Sequence, residues 1–89
     1  MNNKAVYPGT FDPITLGHED LARRAGKIFD TVILAVADSR TKRPFFTLEE
    51  RVDMAREALK NVPNLHITSF SGLLMKFVQQ QKARVVIRG

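Results

Sequence analysis

Seven consecutive residues, Thr31-Val-Ile-Leu-Ala-Val-Ala37, are almost wholly apolar and largely β-branched. Side chains on a strand alternate between two faces, so such a run is apolar on both. Both faces must then be covered by other parts of the chain. That is the signature of a strand inside a parallel sheet with helices on each side. The run is far too short to span a bilayer as a helix. With 89 residues, of which 44% are hydrophobic, the chain has material for one such core and no more. At this size the stability margin is thin.

The rest of the chain supplies matching pieces. Ala5-Val6-Tyr7 reads as a short buried strand that halts at Pro8-Gly9, because proline has no N–H for a ladder. Gly9 to Gly17 is loop, with a second turn signal at Asp12-Pro13. A helix is expected from about Gly17 to Phe29, with Leu21, Ala25, Ile28 and Phe29 on one stripe. Asp38 to Phe46 is a polar, basic loop. Thr47-Leu48-Glu49-Glu50 is a capping box that opens a second helix. Its buried stripe is Leu48, Val52, Ala55 and Leu59, and Asn61 to Asn64 ends it. Leu65 to Ser69 alternates and reads as a strand near a sheet edge. Leu73, Leu74, Phe77 and Val78 form a third helical stripe after Ser71-Gly72. Val85-Val86-Ile87 is a fourth strand, followed by Arg88-Gly89. The predicted order is β-α-β-α-β-α-β, an α/β open parallel sheet with right-handed crossovers.

Lysine and arginine number 14 against 9 acids, a formal charge of +5. This balance favours anionic partners such as nucleotides and phosphorylated metabolites. The densest basic stretch, Arg40, Lys42 and Arg43, is a loop patch and not a nucleic-acid arm. No basic aromatic face points to nucleic acid as the partner. Without cysteine there are no disulfides and no thiolate metal sites, which suits a cytoplasmic protein. The first residues contain no apolar run of signal-peptide length.

In open parallel sheets, ligands bind beyond the carboxyl ends of the strands. The chain order places three features there: the Pro8–His18 loop, the Lys42 loop and Arg88-Gly89. The first is the most informative. Gly9 permits close approach, Thr10 offers a hydroxyl and an N–H, and Gly17 leaves bare backbone where the helix opens. His18 falls in the first turn, where free N–H groups and the helix dipole favour phosphate oxygens. An imidazole there can donate to a phosphoryl group as charge builds on it. The plain reading of Lys42 is a solvated loop lysine, and that of Leu74 a core residue. Asp12 is expected to bond its own turn, and His66 is assigned no chemistry. No His/Asp/Glu cluster has metal-ligand spacing.

Gly9-Thr-Phe-Asp-Pro-Ile-Thr-Leu-Gly-His18 resembles the phosphate-binding signature of the nucleotidyltransferase superfamily. Thr15, where many members carry a first histidine, is similar to the bacterial phosphopantetheine adenylyltransferase branch. So are Phe46-Thr-Leu-Glu-Glu-Arg-Val52 and Val85-Val-Ile-Arg-Gly89. The resemblance implies a Rossmann-like fold and transfer of the adenylyl group of ATP to 4′-phosphopantetheine, giving dephospho-coenzyme A and pyrophosphate. It implies that Thr10 contacts both substrates, that Phe11 and Gly89 lie along the ATP, and that His18 stabilises the transition state. It further implies that Lys42 grips phosphopantetheine and neutralises the reacting phosphates, that Leu74 follows the pantetheine arm, and that Arg88 binds the same substrate. Magnesium is expected to arrive with ATP, and family members assemble as hexamers.

Family members are close to twice as long and continue past Gly89, so the chain reads as a single α/β domain shortened at its C-terminal side. The alternative expectation is therefore an inactive fragment that binds phosphopantetheine or a nucleotide phosphate. A sister enzyme using CTP is the third reading, opposed by Thr15 and the Phe46–Val52 segment. Shortening is also expected to expose an apolar strand edge.

Overall fold

The observed order of elements is β1 (Lys4–Gly9), α1 (Leu16–Ile28), β2 (Thr31–Ala37), α2 (Leu48–Ala58), β3 (Leu65–Phe70), α3 (Leu74–Gln80) and β4 (Val85–Val86). This computed structural model describes residues 3–38 and 43–88. Arg40, Lys42 and Gly89 lie outside the described residues.

The strands form one sheet in the order β3-β2-β1-β4, and every pairing is parallel. The chain moves outward from β1 through β2 to β3, then crosses to the other side of β1. Because each crossover is right-handed, this reversal changes the face on which the helix lies. Thus α1 and α2 cover one face, where Ala22, Ala25, Val52, Ala55 and Leu59 meet Tyr7, Val32, Leu34 and Val36. The third helix covers the opposite face, where Phe77 and Val78 meet Val6, Ile33 and Ala35. β2 is buried from Val32 to Val36, as its two apolar faces require.

Several boundaries differ from the sequence reading, each for a local reason. β1 does not halt before Pro8; Pro8 pairs with Ala35 and Gly9 with Val36. Lys4 and Val6 turn their carbonyls toward β4, accepting from Arg84 and Ile87. Pro8, two residues on, turns the same way. Its missing N–H therefore falls past the last β4 pair, Val6 with Val86, and costs the β2 ladder nothing. In α1, Ile28 sits at the margin of the stripe and is 70% exposed. Leu73 precedes α3 instead of joining its stripe and is 77% exposed. β3 runs one residue further, to Phe70, whose ring lies 5.1 Å from that of Phe77. β4 holds only two residues, and Ile87 follows it.

Both capping boxes are closed. Thr47 accepts from the Glu50 N–H while Glu50 accepts from the Thr47 N–H, as read from the sequence. The second box, at the head of α1, was not foreseen and bears on the site.

Candidate functional site at the carboxyl ends of the strands

The strand order brings the first loop and Arg88 together. β1 and β4 are neighbours and parallel, so the loop after Gly9 and the exposed Arg88 leave the same end of adjacent strands. This is where the connection reverses, the position at which open α/β sheets bind ligands.

Thr15 is the N-cap of α1 and His18 is its third residue. The Thr15 hydroxyl accepts from the His18 N–H at 3.3 Å, and the Thr15 N–H donates to His18 Nδ1 at 3.0 Å. Histidine thus takes the place of the usual Glu or Gln in the box. The bond has a chemical consequence. A backbone N–H can only donate, so Nδ1 is the bare ring nitrogen and the ring proton sits on Nε2. The imidazole is further held edge-on against Phe11, with centroids 5.0 Å apart, and lies 6.4 Å from Tyr7. His18 therefore presents a fixed N–H donor at the start of a helix. Among the described residues, no acceptor takes the N–H groups of Leu16 and Gly17. A side chain added at Gly17 would meet nothing closer than the Thr15 hydroxyl at 3.7 Å, so the helix end is open to an approaching anion.

Two expectations about the loop change. Gly9 admits not a ligand but the chain's own Phe11, whose ring would lie 3.0 Å from an added Cβ. Phe11 itself is 3% exposed and belongs to the core, so only its backbone is free to meet a ligand. Asp12 bonds no atom of its own turn. Its two oxygens accept from the N–H groups of Phe45 and Phe46, at 2.6 and 2.9 Å. The carboxylate thereby ties the first loop to the segment that leads into α2. Thr10 is half-buried at the loop's start.

Leu74 is partly buried against the α3-side core. A cavity of about 720 Å³ opens beside it, between the carboxyl ends of β2 and β3 and the start of α3. Leu73, not Leu74, lines that cavity, with Asp38, Ser69, Gly72 and Lys76. Thr10, His18 and Arg88 do not line it. Among the described residues there is no group of three His, Cys, Asp or Glu able to hold a metal, and no helix long and apolar enough to cross a membrane. His66 is exposed on edge strand β3.

Arg51 is a residue to which the sequence reading assigns no role. It is 2% exposed and donates to three main-chain carbonyls, Phe46 through Nε and Thr10 and Ala37 through Nη1. The signal for it was present: Arg51 stands on the apolar stripe of α2, three residues after Leu48 and four before Ala55.

Comparison with known proteins bears on the family and the fold. Residues 6–89 match the cytidylyltransferase-like family. Phosphopantetheine adenylyltransferase of Paraburkholderia xenovorans is 64% identical over 85 residues, which cover 96% of this chain and 50% of that protein. The chain thus spans about half the length of the curated relatives it matches. Among solved structures, NadR in complex with NAD and AMP-PNP superimposes with a TM-score of 0.70 at 27% identity, over 80% of this chain and 21% of NadR. Nicotinic acid mononucleotide adenylyltransferase of Plasmodium falciparum, complexed with NaAD, gives a TM-score of 0.73 at 18% identity, over 92% of this chain and 46% of that one. The latter is a likeness of fold alone.

Proposed function

The chain belongs to the cytidylyltransferase-like family, and from that premise we propose that it carries the phosphate-binding half of an enzyme that transfers the adenylyl group of ATP to 4′-phosphopantetheine. Identity of 64% to a phosphopantetheine adenylyltransferase across nearly the whole chain supports this substrate pair. The observation that carries the chemistry is the Thr15–His18 box, which leaves a proton on Nε2 at an open helix start.

In this reading the phosphate of 4′-phosphopantetheine attacks the α-phosphorus of ATP in line. One phosphorus–oxygen bond forms, the bond to the β-phosphate oxygen breaks, and pyrophosphate leaves. The attacking phosphate is already anionic, so no general base is needed, and positioning and charge stabilisation supply the rate. His18 Nε2–H donates to the α-phosphate oxygens as charge develops. The free N–H groups at the head of α1 serve the same phosphates. Thr10 contacts both substrates, the Phe11 backbone follows it along the ATP, and Gly89 is assigned to the ATP as well. Arg88 and Lys42 take the phosphopantetheine phosphate, and Leu74 lies along the pantetheine arm. Magnesium would enter with ATP; the carboxylate of the first loop, Asp12, already accepts an N–H on each oxygen. A hexameric, cytoplasmic enzyme is part of the same proposal.

The length of the relatives favours a second reading, a fragment that binds without turnover. One sample separates the two. Pyrophosphate release and calorimetry are measured on the 89-residue chain with ATP and 4′-phosphopantetheine, for wild type and His18→Ala. Turnover that falls by orders of magnitude in a folded His18→Ala chain, equivalent to ~3 kcal/mol, is expected for the enzyme. Binding heat with no pyrophosphate identifies the fragment. Equal turnover in both proteins removes His18 from the mechanism.

A further inference from the structure

Arg51 is a buried cation whose partners are main-chain carbonyls. Among the described residues no carboxylate pairs with it. Burying a charge this way is costly unless its hydrogen bonds are good, and three donated bonds of 2.8 to 3.2 Å meet that condition. Where two of those bonds land is informative.

The parallel ladder between β1 and β2 uses the odd-numbered residues of β1, beginning with the Thr31 N–H donated to the Asn3 carbonyl. Parallel ladders repeat every second residue. After Gly9 the next donor in register is the Phe11 N–H, and the next acceptor on β2 is the Ala37 carbonyl. Arg51 Nη1 takes that carbonyl instead, at 3.0 Å. The same nitrogen takes the Thr10 carbonyl at 2.8 Å. In a trans peptide the carbonyl and the following N–H point in opposite directions. With the Thr10 carbonyl drawn inward to the guanidinium, the Phe11 N–H is turned away from Arg51. Phe11 adopts φ 48°, off the strand geometry, and among the described residues no acceptor takes its N–H.

From this we infer that Arg51 is a positioning residue: it ends the β1–β2 ladder and turns the Phe11 N–H outward as a phosphate donor beside His18. The guanidinium also leaves an un-neutralised positive charge directly beneath the loop, which favours an anion above it. Lysine cannot replace it. Nη1 and Nε reach three carbonyls because they sit in a rigid planar fork, whereas an ammonium is a single point on a flexible stem. This deepens the proposed function, on which the identity of the phosphate ligand rests.

The test uses the isotopically labelled 89-residue chain, wild type and Arg51→Lys. The residual dipolar coupling of the Phe11 N–H reports its orientation without ligand. Titration with inorganic pyrophosphate and with ATP, followed at the Phe11 amide, reports the donor role. In a folded Arg51→Lys protein the Phe11 coupling is expected to change, and half-saturation by pyrophosphate to rise by about tenfold or more. Unchanged coupling and unchanged half-saturation overturn the inference. A changed coupling with no response of the wild-type amide to either ligand leaves Arg51 as the brace of the loop but overturns the donor role of the Phe11 N–H. Response to inorganic pyrophosphate but not to ATP upholds the inference and counts against the proposed function. Should Arg51→Lys not fold, the wild-type guanidinium decides: separate, slowly exchanging Nη signals are expected, and one averaged signal refutes the brace.

Discussion

Tyr7 is the chain's single tyrosine and there is no tryptophan. Its ring is 3% exposed and meets Phe11 edge-on at 5.2 Å, directly behind the candidate site. Burial disfavours the phenolate and raises the Tyr7 pKa above its ordinary 10.0. For an acid raised in the folded state, the stabilising contribution is complete below the unfolded value. It is lost as pH rises through the folded value, because there the unfolded chain releases its proton first. Phenolate absorbance, which reads Tyr7 alone, should therefore titrate at higher pH in the folded protein than in denaturant. The denaturation midpoint should fall over the same alkaline window, and Tyr7→Phe should lose that component. Coincident titration of folded and unfolded chains would show that the phenol is solvated. Such single residues decide the site: Phe11 fills the space that Gly9 leaves, and His18 is oriented by Thr15.

At the scale of elements, the two capping boxes invite comparison. The box at Thr47 and Glu50 closes α2, whose buried stripe includes Arg51. Thr47→Ala removes the acceptor for the Glu50 N–H and should cost about 1 kcal/mol of stability by chemical denaturation. Since that box holds the first turn of α2, the protection of the Phe46 amide, bonded to Asp12, should fall with it. A loss of stability with Phe46 protection unchanged would mean that the Asp12 bonds hold this segment unaided. The box at the head of α1 is built alike but has a second task. It stabilises the helix and fixes the tautomer of His18. α3 has neither device. It is seven residues long and lacks a side-chain cap, so packing of Phe77 and Val78 is what holds it.

At the scale of the molecule, the sheet has two open edges of different character. β3 offers solvent His66 and Ser69, polar groups that discourage further pairing. β4 presents Val85, 38% exposed, and Leu73 at the head of α3 and Met75 within its first turn are exposed apolar residues as well. Apolar edges and patches of this kind promote association. Light scattering on the 89-residue chain should show an apparent mass that rises with concentration, and Leu73→Ser with Met75→Ser should lower it. A concentration-independent monomer in both proteins would show that the patch is too small to drive self-association.

What the sequence determined by itself was what depends on near neighbours. The β2 run, the Thr47 box, the helical stripes and the Gly9–His18 loop all express periodicity or capping over a few residues. The family resemblance rests on those same stretches. Errors at this level were marginal ones, such as Ile28 and Leu73, where a stripe's edge cannot be told from its centre without a partner surface. Only the tertiary structure decided which strands are neighbours, and hence that Arg88 stands beside the first loop. It also decided that Asp12 reaches Phe45 and Phe46, that Asn64 ties the end of α1 by donating to Gly26 and Phe29, and that Arg51 holds Thr10. These contacts join residues more than thirty positions apart. Nothing in local propensity encodes them; they form because burial of the apolar stripes brings the carboxyl ends of β1 and β2 over the start of α2, and the end of α1 against the start of β3.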